Sequence, residues 1–138
     1  MNMKIPKNNE RFYWTNHVFR KMQFYGLSET KIKGVLSRPD RKEDGIAVKT
    51  LAAMQKTRTK KPSEIWVMYQ IVKSRNQPLA ASNTWRIVHG QWPVNQQTKI
   101  ISAWRYPGIS PVGGKIPIPL DILEELELEN LEFNNESL

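Results

Sequence analysis

The chain has 138 residues, a net charge of +8 and no cysteine, which excludes disulfide scaffolds, thiolate nucleophiles and cysteine-based zinc sites together. That length supports one domain with a small core, and no stretch approaches the roughly 18 apolar residues of a membrane span. All 21 Lys and Arg lie at or before Lys115 beside six acids (Glu10, Glu29, Asp40, Glu43, Asp44, Glu64), whereas the other seven, Asp121 to Glu136, fill a segment without a basic residue. Residues 1–115 thus carry +15 and residues 116–138 carry −7. The commonest partner of so basic a body is a nucleic-acid backbone; a solvated basic surface and an acidic protein partner are the alternatives.

Residues 1–10 are polar, contain Pro6 and read as a loose arm. Met1 to Lys7 has no apolar core of a signal peptide, so export is not expected and the cytoplasm is the expected compartment. Phe12, Tyr13 and Trp14 fit a short strand or a plug. Thr15-Asn16 then fits a helix N-cap, and Val18, Met22 and Tyr25 recur at helical spacing, with Phe19 beside them, until Gly26 closes the helix. Ser28 caps a second helix with Ile32, Val35 and Leu36 as its buried stripe, stopped by Pro39.

From Arg38 the period changes. Arg41 to Gly45 reads as a polar edge strand and turn, Ile46 to Gln55 as extended chain, and Thr57 to Pro62 as a basic loop. Ile65 to Val72 is β-branched and aromatic, the clearest strand in the chain. Residues 74–98, with Pro78, Pro93 and many Asn and Gln, read as an insertion holding a short strand at Trp85 to His89. Lys99 to Trp104 is the last strand. Gly113-Gly114 with Pro117 and Pro119 forms a linker to an acidic helix over Asp121 to Leu131, whose apolar side offers Leu120, Leu123, Leu128 and Leu131. The class is α+β: two N-terminal helices near 16–25 and 28–37 on a four-stranded antiparallel sheet, plus the acidic C-terminal helix. The organisation is an arm (1–10), a basic domain (11–110) and a linker with acidic tail (111–138).

His17, then Lys21-Met22, then Gly26-Leu27-Ser28, and Pro39-Asp40-Arg41 after the second helix, with Lys99 to Trp104 as closing strand, form an ordered set. In these residues, over roughly 13–108 without the insertion, the chain resembles the DUF4258 family of small bacterial and phage domains. Such domains look like the RelE/barnase-like ribonuclease-toxin superfamily. The resemblance implies toxin-like, metal-independent RNA cleavage, with RNA as partner and no cofactor.

Such cleavage needs a base, an acid and a cation for the developing phosphorane charge. His17 and Lys21 lie one helical turn apart and share a face. His17 is either general acid or base, or a helix-start residue held by backbone and sheet. Arg105 suits a phosphate clamp or an edge salt bridge; Tyr106 suits proton donation, stacking or strand-end packing. The expectation is that His17, Lys21, Arg105 and Tyr106 converge on one basic face. Arg38, Arg41, Lys49, Lys56, Arg58, Lys60 and Lys61 suit contacts to the nucleic-acid backbone, while Trp66, Trp85, Trp92 and Trp104 divide between packing and base stacking. His89 has no assigned role, and neither histidine has metal-ligand spacing. A catalytic ribonuclease, a non-catalytic nucleic-acid or ribonucleoprotein binding module, and an interaction protein for an acidic partner or inhibitor all fit. The acidic helix either completes the core or docks through Leu123 and Leu128 and competes with nucleic acid.

Overall fold

A computed structural model describes residues 6–73, 96–111 and 116–128. The elements are β1 (Phe12–Trp14), α1 (Asn16–Tyr25), α2 (Glu29–Ser37), β2 (Arg41–Asp44), β3 (Leu51–Lys56), β4 (Ser63–Lys73), β5 (Gln96–Pro107) and α3 (Leu120–Leu128). The strands form one sheet in the order β1-β5-β4-β3-β2, with β1 parallel to β5 and every other pairing antiparallel.

Helix α1 begins where β1 ends, and Thr15 makes the joint. Its Oγ1 accepts the Val18 N–H at 3.1 Å and donates to the Ile100 carbonyl at 2.9 Å, capping the helix and pinning it to β5. Gly26, at φ 69°, ends α1 in the left-handed conformation that glycine adopts without steric cost. Ser28 caps α2 by accepting the Lys31 N–H at 3.1 Å.

Strand alternation divides the core in two. On one face Val18, Met22, Leu27, Ile32 and Val35 from the helices pack on Ala53, Ile65, Val67, Tyr69, Ile100 and Ala103. On the other, Ile122 and Leu126 of α3 pack on Met54, Met68, Ile101 and the cross-strand pair Trp66 and Trp104, whose rings stack at 6.2 Å. A bulge at Met68/Tyr69 places both Ile100 and Ser102 opposite consecutive β4 residues, so Ile101 and Ser102 both serve the α3 side. Between the α3 layer and the sheet lies Glu64, fully buried, which accepts from Trp66 Nε1 (3.1 Å), Ser110 N (3.1 Å) and Ser110 Oγ (2.6 Å). Those three bonds satisfy the carboxylate and fix the chain as it turns from β5 toward α3.

Several expectations are corrected. The sheet has five strands and is mixed, because Phe12–Trp14 adds as a parallel edge. Helix α3 docks through Ile122 and Leu126, both fully buried; Leu123 is half-buried and Leu120 is 68% exposed. The side chain of Leu128, and Leu131, lie outside the described residues. Strand β3 starts only at Leu51, because Gly45 to Thr50 closes a tight turn in which the Gly45 N–H meets the Thr50 carbonyl at 2.9 Å. Residues 96–98 of the expected insertion belong to β5. The short strand at Trp85 to His89 lies outside the described residues. Part of the arm is engaged: Asn9 Oδ1 accepts the Arg11 and Phe12 N–H groups, and Asn8 Oδ1 accepts that of Trp14.

Candidate functional site

Helix α1 carries two stripes. Val18 and Met22 enter the core under α2, while His17 and Lys21, one turn apart, face α3 across the open edge of β5. His17 is 1% exposed. Its Nε2 lies 2.8 Å from Ser102 Oγ, and its Nδ1 is 2.9 Å from Glu125 Oε2, at ion-pair distance but off the line of a good hydrogen bond. Lys21 is 6% exposed and donates from Nζ to Asp121 Oδ2 at 2.8 Å, with Glu125 Oε1 at 2.9 Å. Tyr25 OH donates to Asp121 Oδ1 at 3.4 Å. Burial works against the Lys21 ammonium, but hydrogen bonds and charge from Asp121 and Glu125 outweigh it and hold its pKa above the usual lysine value. Burial, with the Asp121 charge and hydrogen bond added, raises the Tyr25 pKa.

Ser102, His17 and Glu125 stand in the order of a serine–histidine–carboxylate relay. The burial of Ser102 and His17 makes the trio structural, although Glu125 itself is only half-buried. Ser102 is fully buried in the middle of β5, paired with Met68 and beneath α3, so no carbonyl or phosphate can approach its hydroxyl. The cluster joins α1, β5 and α3 by satisfying polar groups that burial would otherwise penalise. Among the described residues no group of His, Asp or Glu is arranged to hold a metal ion.

The four expected catalytic residues do not share one face. Arg105 and Tyr106 are consecutive on a strand and point to opposite sides. Tyr106 is half-buried against the Trp66–Trp104 cluster. Arg105 is exposed on the α1 side, where its Nη2 lies 3.5 Å from the Tyr25 carbonyl and its Nη1 3.5 Å from Ser63 Oγ. Tyr25 is eight residues beyond His17, about 12 Å of helical rise. Arg105 therefore meets the far end of the helix from the histidine.

A different assembly forms at that end of the sheet. Lys56 ends β3 and the β3–β4 connection carries Arg58, Lys60 and Lys61, all exposed. Arg105 reaches Ser63 at its foot, and the Gly108 N–H reaches the Pro62 carbonyl at 3.1 Å. Arg38, also exposed, joins this end because its carbonyl accepts from Gln55 Nε2 at 3.2 Å. Among the described residues none of these six cations is in an ion pair. Two expected members of the basic group stand apart. Lys49, at φ 63°, sits in the β2–β3 turn at the opposite end. Arg41 turns inward over the Trp66 ring at 5.3 Å and donates to Glu43 Oε2, Ser110 Oγ and the Pro111 carbonyl. Trp66 and Trp104 are fully buried packing residues, and Trp85, His89 and Trp92 lie outside the described residues.

Asp121 and Glu125 are site residues that the sequence reading missed. Their signal was an i, i+4 acidic pair on a helix able to answer the i, i+4 pair His17 and Lys21. No family model, curated protein or solved structure matches the chain. Among the described residues no helix is long and apolar enough to cross a membrane.

Proposed function

We propose that the protein is a small RNA-directed module that binds the phosphate backbone through the cationic end of its sheet. The observation that carries this reading is the group of six exposed cations, Arg38, Lys56, Arg58, Lys60, Lys61 and Arg105, held at one end of the sheet with no ion-pair partner among the described residues. Phosphate neutralisation by such a group releases counterions and is sequence-independent. Two acids of α3, Asp121 and Glu125, are directed to Lys21 and His17 rather than to this group.

Binding is favoured over cleavage by the state of the expected catalytic groups. His17 is closed off from solvent with both ring nitrogens in contact with neighbours, and Lys21 is held by two carboxylates. A general acid or base must reach the proton it moves, and neither residue reaches a surface from which RNA is accessible. Four to six phosphate contacts to a single strand predict that affinity for RNA falls by about two decades between 50 and 200 mM salt. Fluorescence anisotropy with a labelled oligoribonucleotide checks this; weak affinity that stays flat across that range would refute the proposal.

A further inference from the structure

We propose that Phe24 is a base-stacking platform beside the cationic end, so that the protein takes single-stranded RNA in preference to duplex. The inference rests on the backbone-binding reading and adds the class of strand. Phe24 is 73% exposed, more than any other large hydrophobic side chain among the described residues. It lies in the last turn of α1 and contributes nothing to either core cluster. Its ring is nevertheless braced: Tyr25 meets it edge-on at 4.8 Å and 83°, and Lys21 Nζ lies 5.6 Å from its centroid. A braced, open aromatic ring loses little entropy on receiving a second flat ring.

Its position links it to the phosphate-binding group. The next residue along α1, Tyr25, offers its carbonyl to Arg105, and Arg105 spans from there to Ser63 at the foot of the basic hairpin. Phe24 therefore belongs to the turn of α1 that Arg105 links to the β3–β4 connection, with its ring turned toward Lys21. Cations that track a backbone, with an aromatic face beside them, are the elements of single-strand binding, because an unpaired base can present its π-face. Duplex offers the cationic end phosphates, but apart from its two terminal pairs every base face is already stacked on a neighbour. Self-association through Phe24 and the exposed Leu120 is the competing use of this patch, and the chain's +8 charge opposes it.

The test compares three fluorescein-labelled 12-mers at 50 mM salt: oligouridine, an abasic ribose-phosphate strand and a blunt RNA duplex. The full-length chain binds oligouridine more tightly than the abasic strand. Phe24→Ala weakens oligouridine binding about tenfold, within the range of one lost stack. It leaves abasic binding and the salt slope unchanged, and Phe24→Trp restores affinity. Because Phe24 is exposed, the alanine variant keeps the fold, which its unfolding midpoint verifies. Equal binding of all three ligands, or an alanine variant indistinguishable from the parent, overturns stacking while leaving backbone binding in place. Absence of salt-sensitive binding to any of them overturns both. A concentration-dependent sedimentation coefficient that Phe24→Ala abolishes overturns stacking in favour of self-association.

Discussion

Leu126→Ala tests whether α3 is part of the core or a detachable acidic tail. Leu126 is fully buried against the sheet face that carries Trp66 and Trp104, with Ile122 one turn away. Buried Leu→Ala changes cost about 2–5 kcal/mol, rising with the cavity left behind. Helix α3 ends the described chain and lies on a single sheet face, so it can settle partly into the gap. The lower half of the range applies, roughly 2–3 kcal/mol. Against a total stability of about 5–15 kcal/mol that is a large fraction. With a urea m-value near 1–1.5 kcal/mol/M, the midpoint falls by roughly 2 M at unchanged m. Tryptophan fluorescence reports the transition from inside the affected cluster. A loss below about 0.5 kcal/mol, the size of an ordinary surface substitution, would refute a core role for α3. The same reasoning bears on truncation after Pro119, which removes Ile122 and Leu126 and leaves the buried Lys21 without Asp121 or Glu125. That chain is expected to unfold rather than to bind RNA more tightly.

Two further perturbations probe the frame. A Cβ at Gly45 would fall onto Thr50 Oγ1, with Thr50 Cβ at 2.7 Å and its backbone carbon at 3.0 Å, inside a turn whose hydroxyl is already held by the Ala47 carbonyl. Gly45→Ala should cost about 1–3 kcal/mol by overpacking, and an unchanged melting temperature would contradict that geometry. Lys21, Tyr25 and Tyr69 all have pKa values raised above their ordinary 10.5, 10.0 and 10.0, Tyr69 by burial. The native state therefore keeps protons that the unfolded chain releases, so their contribution is intact below pH 10 and lost as pH rises through the raised values. Urea unfolding at pH 9 and at stepped values above 10 should show falling stability, with a shallower fall in Lys21→Met; a rise would contradict the signs.

What the sequence made legible was local. Thr15, Gly26, Ser28 and Pro39 mark helix ends by backbone chemistry that acts within a few residues, and both helices fall where those residues put them. Ile65 to Val72 and Lys99 to Trp104 are long β-branched and aromatic runs, and they pair as antiparallel neighbours. Strand β1 was obscure because three residues carry no period and its partner, Thr98 to Ile100, is 86 positions away. The buried side of α3 was obscure for a different reason: its apolar residues outnumber those one stripe can bury, and only the sheet decides that Ile122 and Leu126 go in while Leu120 stays out. His17 and Lys21 were correctly placed on one helical face. That face met the acidic helix because charge sorting along the chain became charge pairing across the fold. Arg105 and Tyr106 were grouped by adjacency, which a strand converts into opposition.

The most direct test of backbone binding at the hairpin end is the salt slope of RNA affinity in two charge-neutralised variants. Arg58→Ala/Lys60→Ala/Lys61→Ala removes half of the cationic end. Lys42→Ala/Lys49→Ala removes exposed charge from β2 and from the turn at the other end of β3. For a single strand each lost phosphate contact lowers the slope by about 0.7. The triple variant should therefore lose about two units of slope, and the double variant none. Equal loss in both, or none in either, would contradict the account and spread RNA binding over the whole basic body.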